Sequence, residues 1–318
     1  MRFLSNKELD NLSVSERKEY YNKLRNYCLS VKDNQLKIGQ ELIYKFYPLL
    51  RNYKLEIEGI ENIPKDSNVL FVVNHSNSHD IFTAYEVLSM LNRKGSVMVA
   101  TDCLNPATTQ IFNISNATLL DRRKKEDRSN SVYRFSKKIL EGNDGVIFGE
   151  STWNLHPIKP MHNIKQGASK ISAITQVPII PTIFEYIETN DKVSKERDLI
   201  KKCIIRFGKP ITINYNDNLI LQSDLIRQNM VKNRTSIWSD NNIRRNLISD
   251  INPELYVNHT FLKKFDAFGF TYDSRKEQEY LLFLEGEPIE NEYYINSEGK
   301  FVPGITEKNA KLRKMLKK

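Results

Sequence analysis

Val69-Leu70-Phe71-Val72-Val73-Asn74-His75-Ser76-Asn77-Ser78-His79-Asp80 runs from an unbroken apolar stretch into a histidine, four intervening residues and an aspartate. The apolar run reads as a strand. Five steps of an α-helix turn about 500°, which sets His75 and Asp80 on different faces. The two side chains can meet only if His75 lies in the turn after the strand and Asp80 near the start of a following helix. The Asn and Ser residues between them favour such a turn. An imidazole oriented by a buried carboxylate can take a proton from an alcohol near neutral pH, because its ordinary pKa of roughly 6.5 is already close to what the task needs.

Two rival readings use the same residues. His75 and His79 have the i, i+4 spacing of helical zinc ligands, but Ser76 stands where the HExxH motif has its glutamate, and the segment follows a strand. His79 then reads as a turn residue or a neighbour of the reacting pair, and no metal site is expected. Ser76 and Ser78 are candidate nucleophiles by type, yet neither lies in a G-x-S-x-G elbow, so both read as turn residues.

The stretch from Gly59-Ile60-Glu61-Asn62-Ile63-Pro64 through Asp80 resembles the first signature of the glycerol-phosphate and lysophosphatidate acyltransferase family, an asparagine-histidine, four variable residues and an aspartate. Leu119-Leu120-Asp121-Arg122 resembles the second. Gly145-Val146-Ile147-Phe148-Gly149-Glu150-Ser151-Thr152 resembles the third, and Val177-Pro178-Ile179-Ile180-Pro181-Thr182, after Lys165-Gln166-Gly167-Ala168, is similar to the fourth. The four blocks keep family order across about residues 53–213. The resemblance implies an enzyme in which His75 is general base, Asp80 its orienting carboxylate, and Arg122 a ligand of the acceptor's phosphate, a task suited to a guanidinium that donates two parallel hydrogen bonds. Glu150, Ser151, Thr152, Trp153 and Lys165 complete the expected substrate-binding set. The acyl group would come from acyl-CoA or acyl carrier protein as co-substrate, with no bound cofactor, and pass to a hydroxyl of a glycerophosphate-type lipid.

The third block departs from the family: Gly149 replaces a usual proline, Ser151 a usual glycine, and Trp153 an arginine expected to help bind phosphate. An indole can instead stack on a sugar face or an apolar chain, or merely pack at a loop. The acceptor is therefore open between a glycerophosphate lipid and a cell-envelope glycan or polyol, and a non-catalytic lipid-binding relative is a third reading. Glu150 ends an apolar run, where an unpaired carboxylate would be expensive; a basic or hydroxyl group in the cleft is its expected partner.

With 318 residues, 48 Lys and Arg against 39 Asp and Glu give a net charge of +9. That balance favours an anionic partner, and an anionic membrane surface, an acidic carrier protein and phosphorylated substrates all fit it. No recognised nucleic-acid-binding signature accompanies the charge. No segment reaches the roughly 18–20 apolar residues of a membrane span, and Met1 to Glu8 turns polar too soon for a signal peptide. Cys28, Cys103 and Cys203 are widely spaced and odd in number, which reads as reduced thiols. Together these predict a cytoplasmic protein, peripheral at the inner membrane face.

Residues 5–28 and 33–47 read as an N-terminal helical pair, the second closed by Pro48. Strands are predicted near 54–58, 69–73, 96–100, 117–120, 145–148, 178–183 and 203–207, and helices near 80–92, 130–141, 165–175 and 222–248. The alternation is that of an α/β domain with a mixed, largely parallel sheet flanked by helices. The expected organisation is 1–52 as helices packing on the core, 53–215 as the acyltransferase core, and 216–318 as a helical or mixed extension of unknown role. In that extension, Tyr280 to Leu284 is a short apolar piece, turns fall at Glu285-Gly286 and Glu298-Gly299, and the last eleven residues carry six basic side chains.

Overall fold

The computed structural model describes residues 1–32, 38–77, 79–101, 104, 106–151, 154, 160–188, 200–241, 292–295 and 301–304. Its strands are β1 (Lys54–Glu58), β2 (Leu70–Val73), β3 (Gly95–Ala100), β4 (Thr118–Leu120), β5 (Asp144–Phe148), β6 (Ile179–Glu188), β7 (Ile200–Phe207), β8 (Glu292–Ile295) and β9 (Phe301–Gly304). The first seven form one sheet in the order β1-β7-β6-β2-β5-β3-β4. Neighbours in that sheet run parallel except β6 and β7, which are antiparallel. The α/β class and the mixed, largely parallel sheet are as the sequence predicts.

Side chains of a strand alternate between faces, so a strand that is apolar at every position must be covered on both sides. β2 is such a strand. Phe71 and Val73 enter one apolar layer, and Leu70 and Val72 enter the other. The first layer is closed by α3 (Ile38–Leu50), α4 (Asp80–Met90) and α5 (Pro106–Ile114), through Tyr44, Ala84, Tyr85 and Phe112. The second is closed by α2 (Val14–Ser30), α6 (Lys125–Leu140), α7 (Gly167–Thr175) and α8 (Leu219–Asp240), through Leu24, Phe135, Ile171 and Ile226.

Several element boundaries differ from the sequence reading, each for a local reason. The first helix is two: α1 (Asn6–Asp10) and α2, each opened by a serine whose side chain caps the amide three residues on, Ser5 with Glu8 and Ser13 with Glu16. These reciprocal capping boxes satisfy amides that a helix start otherwise leaves open. Pro48 does not end α3, which runs on to Leu50. α5 was not anticipated, α6 begins at Lys125 rather than 130, and β6 continues to Glu188. α8 spans Leu219–Asp240, while 242–248 lie outside the described residues, as do 33–37, Cys103 and the apolar piece at 280–284. Cys28 and Cys203 are buried free thiols. β8 and β9 pair antiparallel, and the expected turns at Glu285-Gly286 and Glu298-Gly299 lie outside the described residues.

One glycine is dictated by geometry. Gly59 has φ of +74°, and a Cβ there would sit 2.2 Å from the carbonyl oxygen of Phe207, far inside any normal contact. The chain leaving β1 thus passes directly over the end of β7.

Candidate active site

The carboxyl ends of parallel strands are where α/β sheets hold their ligands, and the described parts of the signature residues gather at the ends of β2, β4 and β5. Asn74 is the first residue past β2. Its buried side chain donates to the Phe184 carbonyl at 3.0 Å and accepts from the Phe184 amide at 2.7 Å, carrying the pairing with β6 one residue beyond the strand. The backbone can then turn away without leaving those groups of β6 unbonded.

His75 Nδ1 lies 2.8 Å from Asp80 Oδ2, as the turn reading requires. The same carboxylate oxygen accepts from the amides of Ser76 at 2.8 Å and Asn77 at 2.9 Å. Asp80 opens α4, where the amide ends of the helix favour negative charge. The imidazole also stacks on Phe148, ring centres 4.4 Å apart. The His75 side chain is 13% exposed and that of Asp80 is fully buried, so a substrate can reach the ring but not the carboxylate.

Glu150 follows the end of β5 and is 1% exposed. Its Oε1 accepts from the His75 amide at 2.9 Å and its Oε2 from the His162 amide at 2.7 Å. Both of these donors are backbone N–H groups, and they tie the histidine turn to the 160–165 segment. The His75 carbonyl in turn accepts from the Asn154 amide at 2.6 Å. The His75 turn is therefore gripped through its main chain on both sides.

Arg122 leaves the end of β4. Its neighbour Asp121 has its amide bonded to Asp127 Oδ2 at 2.7 Å, and Arg134 links Asp127 to the Leu119 carbonyl. This holds the turn before α6. Arg122 is half-buried, and its Nη1 donates to the Ser151 carbonyl at 2.6 Å, which brings the second signature against the third. Lys165 has an exposed side chain and an amide bonded to the Gly149 carbonyl at 3.1 Å. Thr152 and Trp153 lie outside the described residues, as does Ser78.

Both described departures in the third signature have a backbone meaning. The Gly149 amide donates to the Val73 carbonyl at 3.0 Å, a bond that proline cannot make. Ser151 sits at φ of +58°, the left-handed region glycine occupies freely and other residues enter at a cost of about 1–2 kcal/mol. Ser151→Gly is expected to raise the unfolding free energy by about 1 kcal/mol in a urea melt. A loss of stability instead would mean that the serine hydroxyl makes compensating contacts.

His79, the second histidine of the zinc reading, has Nδ1 2.9 Å from the Tyr47 hydroxyl. That hydroxyl meets Tyr53, which meets Thr83, which accepts from Tyr186. Burial pushes the phenols of Tyr47, Tyr53 and Tyr186 well above their usual range; for Tyr186 the nearby Asp80 charge adds to it. These hydroxyls therefore stay neutral and hold α3, β1 and β6 around the first turn of α4. Among the described residues, no group of three or more His, Cys, Asp or Glu side chains is arranged to hold a metal ion.

Asn74, Phe148, Asn154 and His162 belong to this geometry but were not singled out from the sequence. Asn74 was visible as the residue before the histidine; the other three carry no local signal.

A model of the acyltransferase family matches residues 54–185. Among solved structures, the crystal structure of the 1-acyl-sn-glycerophosphate acyltransferase of Thermotoga maritima is similar at 17% identity and a TM-score of 0.45, over 70% of this chain and 81% of that one. No curated protein matches the chain. The match begins at the first residue of β1 and contains the His75–Asp80 turn, Arg122 and Glu150: residues 54–185 are a domain of the acyltransferase family.

Proposed function

We propose that the chain transfers an acyl group from an acyl thioester, acyl-CoA or acyl carrier protein, to a hydroxyl of a glycerophosphate-type lipid, with His75 as general base. The observation that carries this reading is the 2.8 Å contact between His75 Nδ1 and the buried Asp80 carboxylate within an acyltransferase-family domain. With Nδ1–H donated to the carboxylate, Nε2 holds the lone pair that takes the acceptor's proton. The alkoxide oxygen then bonds to the thioester carbonyl carbon, the C–S bond breaks, and the imidazolium returns its proton to the departing sulfur. Asp80 stabilises the imidazolium between these steps, and no acyl-enzyme is needed. Arg122 binds the acceptor's phosphate, while Glu150 keeps the His75 backbone in place.

A lipid acceptor needs a membrane to come from. On α3, Tyr44 and Tyr47 face inward, whereas Leu42, Phe46 and Leu49 recur at i, i+4 and i+7 on the outer side and are exposed, with Lys45 beside them. Ile111 of the neighbouring α5 is exposed as well. Such an apolar stripe supports peripheral attachment to an anionic membrane at its cytoplasmic face. Among the described residues no helix is long and apolar enough to cross a membrane.

The test is thiol release from acyl-CoA or acyl carrier protein, with lysophosphatidate presented in anionic vesicles and a neutral glycan as the rival acceptor. Lysophosphatidate is expected to drive thiol release, with the protein sedimenting with the vesicles. Arg122→Ala is expected to raise the acceptor KM about tenfold or more, because a charge-assisted contact contributes roughly 1.5–3 kcal/mol, and to leave the donor KM nearly unchanged. Glycan-driven turnover without lysophosphatidate turnover would replace the acceptor; absence of turnover with either would favour a lipid-binding role.

A further inference from the structure

Arg234 lies on α8, beyond the residues matched by the family model, and is buried. Its Nε donates to Glu185 Oε2 at 2.7 Å, and Glu185, on β6, is 1% exposed. Its Nη1 donates to the carbonyl of Pro160 at 2.7 Å, and the guanidinium lies 5.2 Å from the centre of the Trp238 ring. Pro160 is two residues before His162, whose amide is held by Glu150, the same carboxylate that holds the His75 amide. The guanidinium is thus fixed by β6 on one side and fixes the 160–162 backbone on the other.

From this chain of bonds we infer that Arg234 is a positioning residue for the acyl-transfer reaction, acting through Pro160, His162 and Glu150 on the backbone of His75. The inference rests on the acyltransferase reading for its effect on rate, but the mechanical link stands independently. Arg suits the position because its planar fork can serve a carboxylate and a carbonyl in different directions at once. Lysine offers a single ammonium that can satisfy one partner well and the other poorly. A general base displaced by a fraction of an ångström from its reactive position loses much of its effect, so the link is expected to show in kcat.

The experiment uses the full chain and three variants. Arg234→Met alone leaves Glu185 buried without this partner and is expected to unfold readily. Arg234→Met combined with Glu185→Met removes both buried charges together, a change that commonly preserves stability, while removing the donor to Pro160. Arg234→Lys tests conservative rescue. Two readouts are compared: thiol release from acyl-CoA with lysophosphatidate, and amide hydrogen exchange in peptides covering 73–79 and 160–165. The folded double variant is expected to lose at least tenfold in kcat with the donor KM within about twofold of wild type, and to exchange faster in both peptides. Arg234→Lys is expected to fall between wild type and the double variant on both measures. A folded double variant with wild-type kcat, or with unchanged exchange in those peptides, overturns the inference. Should the wild-type protein turn over no thioester, the activity reading falls, and the exchange comparison alone decides the link.

Discussion

Replacing His75 by alanine is expected to leave a folded protein whose acyl transfer falls by about 10²–10⁴-fold, the usual contribution of a positioned general base. Folding is expected to survive because the ring is partly exposed, and the turn around it is held by backbone hydrogen bonds. Asp80→Asn is expected to do comparable damage by a different route. The Ser76 and Asn77 amides and His75 Nδ1 all meet the same Asp80 oxygen, so an asparagine that keeps its oxygen there preserves the turn, but a neutral amide no longer stabilises the imidazolium. His79→Ala is the control, since it breaks the bond to Tyr47 without touching the reacting nitrogen. Steady-state kinetics with circular dichroism on each variant separate the cases. Near-wild-type turnover by folded His75→Ala sinks the mechanism, and loss in His79→Ala equal to that in His75→Ala, with inhibition by a chelator, would revive the zinc reading.

Arg51→Met is expected to destabilise the fold by about 3 kcal/mol near neutral pH, because it leaves a buried carboxylate without its cation. Arg51 Nε donates to both oxygens of Glu86, at 2.7 and 3.0 Å, and the Glu86 side chain is 2% exposed. Arg51 also donates to the Tyr53 carbonyl. Burial raises the Glu86 carboxyl above its ordinary value near 4.5, with Arg51 opposing the shift. A carboxyl whose pKa is raised on folding favours the folded state while protonated, and that contribution is lost as pH climbs through the folded value. Without Arg51 the opposing influence disappears and the loss on ionisation grows. Urea melts of both proteins at pH 4 and pH 7.5 are therefore expected to show a penalty of about 1 kcal/mol in acid, the scale of a lost hydrogen bond, and the full penalty at neutral pH. A penalty independent of pH would show that Glu86 is not ionised in the native protein.

The His75–Asp80 pairing was legible because its geometry is local: a strand, four turn-forming residues and a helix start admit one arrangement in which the side chains meet. The sheet was legible for a similar reason, since a run such as Leu70–Val73 must be covered on both faces. The capping boxes at Ser5 and Ser13 were present in the sequence as serine and glutamate three residues apart, and they divide what periodicity alone reads as one helix. Other features depend on residues far apart in the chain. Arg234 meets Glu185 across 49 positions and His79 meets Tyr47 across 32, and no local pattern specifies such partners. α5 was overlooked because its first turn has no acidic residue and its last no basic one, although Pro106 at its first position, after Asn105, is a helix-start signal. The left-handed backbone at Ser151 was hidden because serine stands where glycine would have announced it.

β7 separates β1 from the remainder of the sheet, and this order has a consequence for how the chain is made. β1 emerges from synthesis early, yet every one of its ladder partners lies between Lys202 and Arg206. Until those residues appear, Lys54–Glu58 has no neighbour to fix its register, and the contact must close across a long stretch of chain, a slow kind of step. The matched segment ends at Glu185, inside β6. A fragment cut at that border would retain β1 without the strand that receives it and leave β6 with a bare edge, open to pairing with another molecule. The segment matched by the family model is thus shorter than the described sheet, and the added length includes both β7 and the helix that carries Arg234.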